Sequence, residues 1–498
     1  MKVMIAYPPI PSDKGVPLIS QNRQFQWFNR PTFIYPVVPA YAATLLQDRG
    51  YKVVWGDGVA SLMKPDEFKE FFDREAPDII AIEAKTPVIK PYWKWTDELK
   101  KIRPNTKVVL IGDHVTAFPE EAFSHCKVDY CIAGGDFDWA LLNLCNHLTK
   151  GEELEGGVYW RDAATNEIRN SGTFKLEHDL NLNPFIDRDL TRWDLYAVEN
   201  GNFKYTPGTY QMTGRDCWWG KCTFCSWTTT FNNFRSVTPE RHLDEVEILV
   251  KKYGVREIFD DTGTFPAGLW LKKFAQGLID RGLNKKVVYG CNMKPGVLKQ
   301  EQWDLMGRAN FRFILFGVES ANQATTDRIL KGGKVEDIPK TMRMCSKAGM
   351  EPHVTCMVGY PWETFEEAKN TVDLCKGLFN EGAISTLQAT ILIPYPGTPL
   401  HREAREKGWL LTEDYDRYDM REPVLKLMDG VKHEDILELT QGIYKSFLTP
   451  RFILRKLLSV RNLEDLKFLF MAGKRVLGHL ADFSKKQPAR ETTDIMKI

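Results

Sequence analysis

Two blocks of alternating short apolar runs and amphipathic runs restrict this chain to an α/β fold before any single residue is considered. In residues 1–150, "KVMIAYPP", "YKVVWGDG", "DIIAIEA", "KVVLIGD" and "VDYCIAG" read as strands. Between and after them, "VPAYAATLLQDRG", "PDEFKEFFDREAP", "KPYWKWTDELKKIRP" and "DFDWALLNLCNHLTKG" carry helical spacing. Strands separated by helices imply parallel pairing, because a parallel pair needs a long crossover. The expected unit is a Rossmann-like doubly wound sheet, with ligands bound at the carboxyl ends of its strands. Those ends carry "AKTP", "IGDHVT" and "AGGDFD".

Residues 151–205 interrupt the alternation with a hairpin pattern, "GGVYWRDAATNEIRNSG", and a linker rich in Asn, Asp and Pro. Alternation returns over residues 206–425, with "REIFDD", "VVYGCNM", "FRFILFGVE", "EPHVTCMVGYP" and "TLQATILIPYPG" as the clearest strands. This second block reads as a (β/α) partial barrel, whose chemistry belongs at its strand ends. Residues 426–498 are helical throughout. A chain of 498 residues is too long for one core, which agrees with this division.

Charge narrows the function. The net charge is +1 with 27% charged residues, so nothing draws the whole chain to nucleic acid. No apolar run reaches the ~18 residues of a spanning helix. The N-terminus lacks a secretory pattern. A cytoplasmic, reducing location follows as the expectation, and there cysteines serve packing, metal or catalysis rather than disulfides.

Three of the ten cysteines, Cys217, Cys222 and Cys225, fall inside "GRDCWWGKCTFCSW". Thiolates at this spacing suit an iron–sulfur cluster or zinc. A closed zinc site wants four ligands, and no second Cys-x-x-Cys pair exists in the chain. Three ligands leave one coordination position open for chemistry. Plain burial of small hydrophobic side chains is the competing reading.

The loop resembles the cluster-binding loop of the radical S-adenosylmethionine (SAM) enzymes, in the branch that carries a cobalamin-binding domain. The usual spacing there is three residues and then two; here it is four and then two. Further landmarks follow in family order: "FDDTGTF", "GVES", "GYPWET" and "PYPGTPL". The resemblance implies a [4Fe–4S] cluster on Cys217, Cys222 and Cys225, with SAM on the free iron and cleaved to a 5′-deoxyadenosyl radical. It implies SAM contacts from Phe224, Asp260, Asp261, Thr262, Glu319, Ser320 and Pro394, and makes Asp261 and Glu319 the candidates for a catalytic role. Each has a structural alternative: Asp260 and Asp261 solvate a strand end, Glu319 pairs with a basic side chain, and Thr364 with Glu367 forms a helix capping box.

Residues 1–150 resemble that branch's cobalamin domain. The resemblance points to Thr86, Gly112, Asp113, His114, Thr116, Gly134 and Gly135 as the cobalamin-binding set. The Asp-x-His-x-x-Gly signature that supplies a lower cobalt ligand is missing, since Asp113 and His114 are adjacent. His114 is therefore expected to touch the nucleotide tail or to be a hydrogen-bonded surface residue. A domain that binds nothing and only braces the barrel is the other reading. No Gly-x-Gly-x-x-Gly follows the first strand, which argues against a nicotinamide domain.

The C-terminal stretch places Arg451, Arg455, Lys456, Arg461, Lys467, Lys474 and Arg475 among Leu, Phe and Ile. It reads as a cap on the barrel, with peripheral contact to an anionic membrane as the alternative. The expected activity is methylation of an unactivated carbon through the 5′-deoxyadenosyl radical and methylcobalamin. Ring closure or oxidation without net methylation, and a non-catalytic cobalamin or redox sensor, are the alternatives. The implied partners are a small-molecule substrate, hydrophobic if the membrane reading holds (an isoprenoid, lipid or tetrapyrrole), and an electron donor such as ferredoxin or flavodoxin.

Overall fold

The computed structural model describes residues 1–19, 25–29, 31–458, 460, 465–466, 468–470 and 473. The first sheet contains β1 (Lys2–Tyr7); a small ladder of β2 (Val16–Pro17) and β3 (Trp27–Phe28) stands apart from it. The sheet continues with β4 (Lys52–Asp57), β5 (Ile79–Glu83), β6 (Lys107–Ile111) and β7 (Tyr130–Ile132). β8 (Val158–Arg161) and β9 (Ile168–Asn170) complete it, in the order β4-β1-β5-β6-β7-β8-β9. The first five pair in parallel, as the alternation predicts, and β5 is buried along its whole length. Burial on both faces is the signature of a parallel strand covered by helices. The hairpin after residue 150 is not a free connector: β8 pairs antiparallel with β7 and extends this sheet.

The second sheet is wound in chain order: β10 (Gly208–Gln211), β13 (Glu257–Asp260), β14 (Val288–Met293), β15 (Phe311–Glu319), β16 (Glu351–Val358) and β17 (Thr386–Ile391). All of its pairings are parallel, and β10 and β17 are its edges, so it is an open arc of (β/α) units. β11 (Gly214–Arg215) and β12 (Arg235–Ser236) form a separate small ladder around the cysteine loop. β10 precedes that loop and was not among the clearest strands in sequence. Its "GTYQ" is short and mixed in polarity, and only the neighbouring β13 makes it a strand.

Local chemistry sets the helix ends. Helix Pro239–Tyr253 starts at Thr238, whose hydroxyl accepts from the Arg241 amide, and stops at left-handed Gly254. Thr364 and Glu367 form the predicted capping box at the start of Phe365–Glu381. The C-terminal region behaves as a cap where it is described. Ile436 and Ile443 are buried in the barrel core, Phe452 stacks on Phe379, and Arg455 donates to the Phe379 carbonyl at 2.8 Å. Arg461, Lys467, Lys474 and Arg475 lie outside the described residues. Among the described residues no helix is long and apolar enough to cross a membrane.

An ion-pair cluster locks the two sheets together. Arg215, 2% exposed, donates to Asp138 at 2.7 and 2.6 Å and to Asp136 at 3.1 Å. Arg235 also donates to both Asp136 oxygens, at 2.6 and 2.8 Å. His178 closes the group, 3.1 Å from Asp136 and 3.3 Å from Glu155, stacked on Trp139. Asp136 and Asp138 sit at the start of helix Phe137–Lys150 of the first unit, and Arg215 sits two residues before Cys217.

Removing one partner strands buried charge, so Arg215→Ala should lower stability by about 3–5 kcal/mol in denaturant unfolding. Burial alone would lower the His178 pKa, but Asp136 and Glu155 outweigh it and raise it to about 9. A raised histidine pKa stabilises the fold fully below the ordinary value near ~6.5 and loses that contribution as pH climbs through the folded value. Thermal unfolding should show this stabilisation fading between about pH 6.5 and about 9, and His178→Asn should remove that part of the slope.

Candidate active site

The cysteine loop is held from behind by the residues that follow β13. Asp260 is fully buried. Its carboxylate accepts from the Thr213 amide at 3.0 Å and hydroxyl at 2.5 Å, from Tyr289 at 3.2 Å, and from the Thr262 amide at 3.0 Å. Thr262 Oγ1 in turn accepts from the Gly214 amide at 3.0 Å. Gly263 donates to Asp216 at 2.8 Å, and Cys217 Sγ lies 3.2 Å from Thr264 Oγ1. Asp260 and Thr262 are thus placed behind the loop as its anchors. Asp261 is turned toward Asn292, whose side-chain amide donates to it at 3.2 Å.

The far side of the loop rests on the segment after β15. Thr223 donates its amide to the Ile329 carbonyl, and Leu400 donates to the Thr223 carbonyl, both at 3.0 Å. Phe224 packs in an apolar group with Met357, Tyr360, Leu392 and Leu400. Pro394 is buried after β17, in the stretch between Leu392 and helix Pro399–Glu406. Glu319 ends β15 with φ 64°, where the register with β16 shifts. That left-handed conformation costs a non-glycine residue roughly 1–2 kcal/mol, and strain of this kind gathers at functional sites. Its carboxylate pairs with Lys331 at 2.7 Å. Ser320 is buried and donates to Glu363 at 2.8 Å, which ties "GVES" to "GYPWET".

Two cations that sequence reading missed flank the loop. Burial would lower the Lys331 pKa, but Glu319 and the thiols outweigh it, and Lys331 is held above the usual lysine range. Lys294 is 8% exposed, with its ammonium 3.9 Å from the Trp219 ring centre. Their only trace in sequence is "MKPG" after one strand and "LKGGK" after another. Burial pushes the Cys222 thiol up to about 11, so a metal would have to displace its proton.

The donor set fits a cluster better than a single ion. The three loop cysteines and Cys126 are half-buried, whereas Cys131, Cys145, Cys291, Cys345, Cys356 and Cys375 are fully buried. A closed tetrahedral zinc site wants four ligands, and the loop supplies three; a [4Fe–4S] cluster takes one thiolate on each of three separate irons. Beyond the loop, Leu315, Gly317 and Glu319 of β15 are part-exposed while the alternate Ile314, Phe316 and Val318 are buried against the helices. The inner face of the arc is therefore part-exposed here, with Glu319 and Lys331 standing over the bare face of Gly317.

The first unit brings its own set to the same place. Helix Asp113–Ala117 packs on helix Trp227–Thr230, directly after Cys225, and Ser226 donates to Asp113 at 3.3 Å. His114 is buried rather than at the surface: Nδ1 lies 3.2 Å from Thr86 Oγ1 and Nε2 2.9 Å from Glu121. Both ring nitrogens are engaged, so this imidazole has none left for cobalt. Thr116 Oγ1 accepts from Gly134 at 3.0 Å. The glycines face protein: a Cβ on Gly112 (φ 115°) would come within 2.5 Å of the Ala84 carbonyl oxygen, and Cβ atoms on Gly134 and Gly135 would meet Phe174 and Phe231. A cleft of about 500 Å³ opens alongside, lined by Phe118, Glu121, His401, Arg405, Tyr415 and Tyr418 among others. At the neighbouring strand ends, burial raises Asp57 to about 6 and Glu83 to about 7.

Comparison with known proteins agrees with this geometry. Residues 212–375 match the radical SAM superfamily, and residues 29–137 match the B12 binding domain. An uncharacterized methyltransferase of Pyrococcus horikoshii is 28% identical over 430 residues, covering 84% of this chain and 89% of its own. The anaerobic magnesium-protoporphyrin IX monomethyl ester cyclase of Rubrivivax gelatinosus is 23% identical, covering 84% and 75%. The cobalamin-dependent SAM radical enzyme OxsB, solved with aqua-cobalamin and SAM bound, superposes with a TM-score of 0.69 at 15% identity, over 96% of this chain and 71% of that one. Two matched domains, a cysteine loop of fitting donors and a shared architecture make the chain a member of the radical SAM enzymes that carry a cobalamin-binding domain.

Proposed function

We propose that the chain is a C-methyltransferase that acts on an unactivated carbon of a small, largely apolar molecule. In this reading Cys217, Cys222 and Cys225 hold the [4Fe–4S] cluster, Asp261 and Glu319 border the SAM site, and Phe224, Ser320 and Pro394 complete it. Thr86, Asp113, His114 and Thr116, with Gly112, Gly134 and Gly135, shape the cobalamin side. When bound, the cluster with SAM supplies a carbon-centred radical, and cobalamin supplies the methyl group. The chain's own part is positioning: Asp260 and Thr262 fix the loop, the Lys331–Glu319 pair sets its charge, and Trp218 and Trp219 exclude water from it.

The observation that carries the reading is the Ser226–Asp113 contact. It joins the loop after β6, where a doubly wound sheet binds its ligand, to the residue after the last cysteine. Radical generator and methyl donor can then share one substrate between the two units. The Pyrococcus relative's name supports methyl transfer. The cyclase relative supports the second reading, ring closure or oxidation without a new methyl group. Exposed Ile453, Leu454, Leu457 and Leu458 favour an apolar or membrane-borne substrate.

Isotope labelling separates the two readings. Purified anaerobic enzyme, SAM with a trideuterated methyl group and a chemical reductant are added to extract from a deletion strain. Methylation predicts a product carrying the label, with S-adenosylhomocysteine and 5′-deoxyadenosine formed together. A new product with 5′-deoxyadenosine alone would replace this proposal with the cyclase reading. A second experiment addresses the loop: Cys222→Ala should abolish 5′-deoxyadenosine formation and leave cobalamin binding intact by its visible spectrum.

A further inference from the structure

The inner face of the arc has two unlike walls. Successive residues of a strand point to opposite faces, and Val354, Cys356, Leu387 and Ala389 pack among the helices of the outer core. The inward positions of β16 and β17 therefore include His353, Thr355, Thr386 and Gln388. The parallel register sets His353 beside Thr386 and Thr355 beside Gln388. On β13 and β15 the inward positions include Phe259, Phe313 and Leu315, which belong to the core shared with the first unit. One wall is thus apolar, and the other is polar but uncharged. Solvent reaches the polar wall, since His353, Thr386 and Gln388 are part-exposed while Val354, Leu387 and Ala389 are buried. His353 Nδ1 lies 2.8 Å from Thr386 Oγ1. Among the described residues nothing pairs with its Nε2 or with the side-chain amide of Gln388, and neither group is sealed from solvent. Burial holds the His353 pKa down to about 4, so the ring is neutral.

The charges around this wall are spent elsewhere. At the start of the strands Arg312 donates to Glu257 at 2.9 Å and to Glu351 at 2.8 Å, and Lys204 and Lys456 also face Glu351. Lys204 pairs with Asp465 at 2.8 Å. Toward the cysteine loop Glu319 holds Lys331, Asp261 accepts from Asn292, and the Lys294 ammonium lies 3.9 Å from the Trp219 ring centre. We propose that His353 and Gln388 receive an uncharged edge of the substrate that both donates and accepts hydrogen bonds, an amide or a hydroxyl, while its apolar body rests against Leu315. The inference deepens the methyltransferase reading and rests on it. A carboxylate, phosphate or ammonium would find no counter-charge on this wall, and its desolvation would go uncompensated. An amide or hydroxyl finds both kinds of partner. A molecule lacking that group would leave the imidazole and the carboxamide unpaired, which is how such sites discriminate.

The test uses the full chain with reconstituted cluster and cobalamin, SAM with a trideuterated methyl group and a chemical reductant. Deletion-strain extract, in a dilution series, is the probe, and labelled product is counted per 5′-deoxyadenosine formed. Gln388→Leu and His353→Phe remove the hydrogen-bonding atoms and keep the bulk. Each should need about tenfold more extract for half-maximal labelling, the loss of one hydrogen bond, and give less product per 5′-deoxyadenosine. Iron and cobalamin content should match the parent. Gln388→Glu, which keeps the size and adds charge, should be impaired at least as much. Unchanged half-saturation in both Gln388→Leu and His353→Phe would overturn the assignment. Loss of iron or cobalamin from both would also overturn it, by making the wall part of the fold rather than of the site. A Gln388→Glu chain that labels product better than the parent would overturn the neutral class in favour of a basic group. An unlabelled new product in the parent would overturn the methylation reading alone, and the same dilution series on that product would still decide the wall.

Discussion

The arrangement depends on the buried guanidinium of Arg215. It lies two residues before the first loop cysteine, yet its partners, Asp136 and Asp138, belong to the other unit. Arg235 and His178 share the same carboxylate of Asp136, so five charged or chargeable side chains compensate one another. Such a cluster contributes little net stability against an apolar replacement, but it tolerates only one docking geometry. That geometry places the loop after β6 on the helix after Cys225. Without it, the strand ends of the first unit and the cysteine loop would lie apart.

A second layer of constraint fixes the loop within its own unit. Asp260 and Thr262 spend their polar atoms on Thr213 and Gly214, so the backbone entering the loop is held by side chains from the neighbouring strand. On the other side the Thr223 amide and carbonyl bridge Ile329 and Leu400. The loop is therefore over-determined at both ends and exposed only at its tip, Gly220 and Lys221. Rigid ends suit a site that must hold three thiolates for three irons.

Much of this was legible in the residue pattern. The five parallel strands of the first sheet, the later strands of the arc and the Thr364–Glu367 capping box follow from period and end chemistry alone. The cysteine triplet and the motifs after it identified the cofactor class, because soft donors at short spacing are rare and local. Roles within the site were less legible. Asp260 and Asp261 are adjacent and alike in sequence, yet one anchors the loop and the other faces Asn292, because successive residues leave a strand on opposite sides. His114, expected to touch the nucleotide tail or to be a hydrogen-bonded surface residue, is buried, since Thr86 and Glu121, distant or unremarkable in sequence, take both its nitrogens. Gly112, Gly134 and Gly135 stood in the cobalamin set by resemblance alone, and only the structure shows that a Cβ on them would meet Ala84, Phe174 and Phe231.

By itself, then, the sequence determined the elements, their parallel pairing and, with the motifs after the cysteines, the cofactor class, since each is set by side-chain period or by residues a few positions apart. Tertiary structure alone decided that β8 and β9 extend the first sheet, that Lys294 and Lys331 flank the cysteines, and that Arg215 joins the two units. Those contacts unite residues tens of residues apart, and a lysine or arginine carries no local sign of which carboxylate or ring it will meet. Only the closed packing of both sheets, with every buried charge obliged to find a partner, selects them.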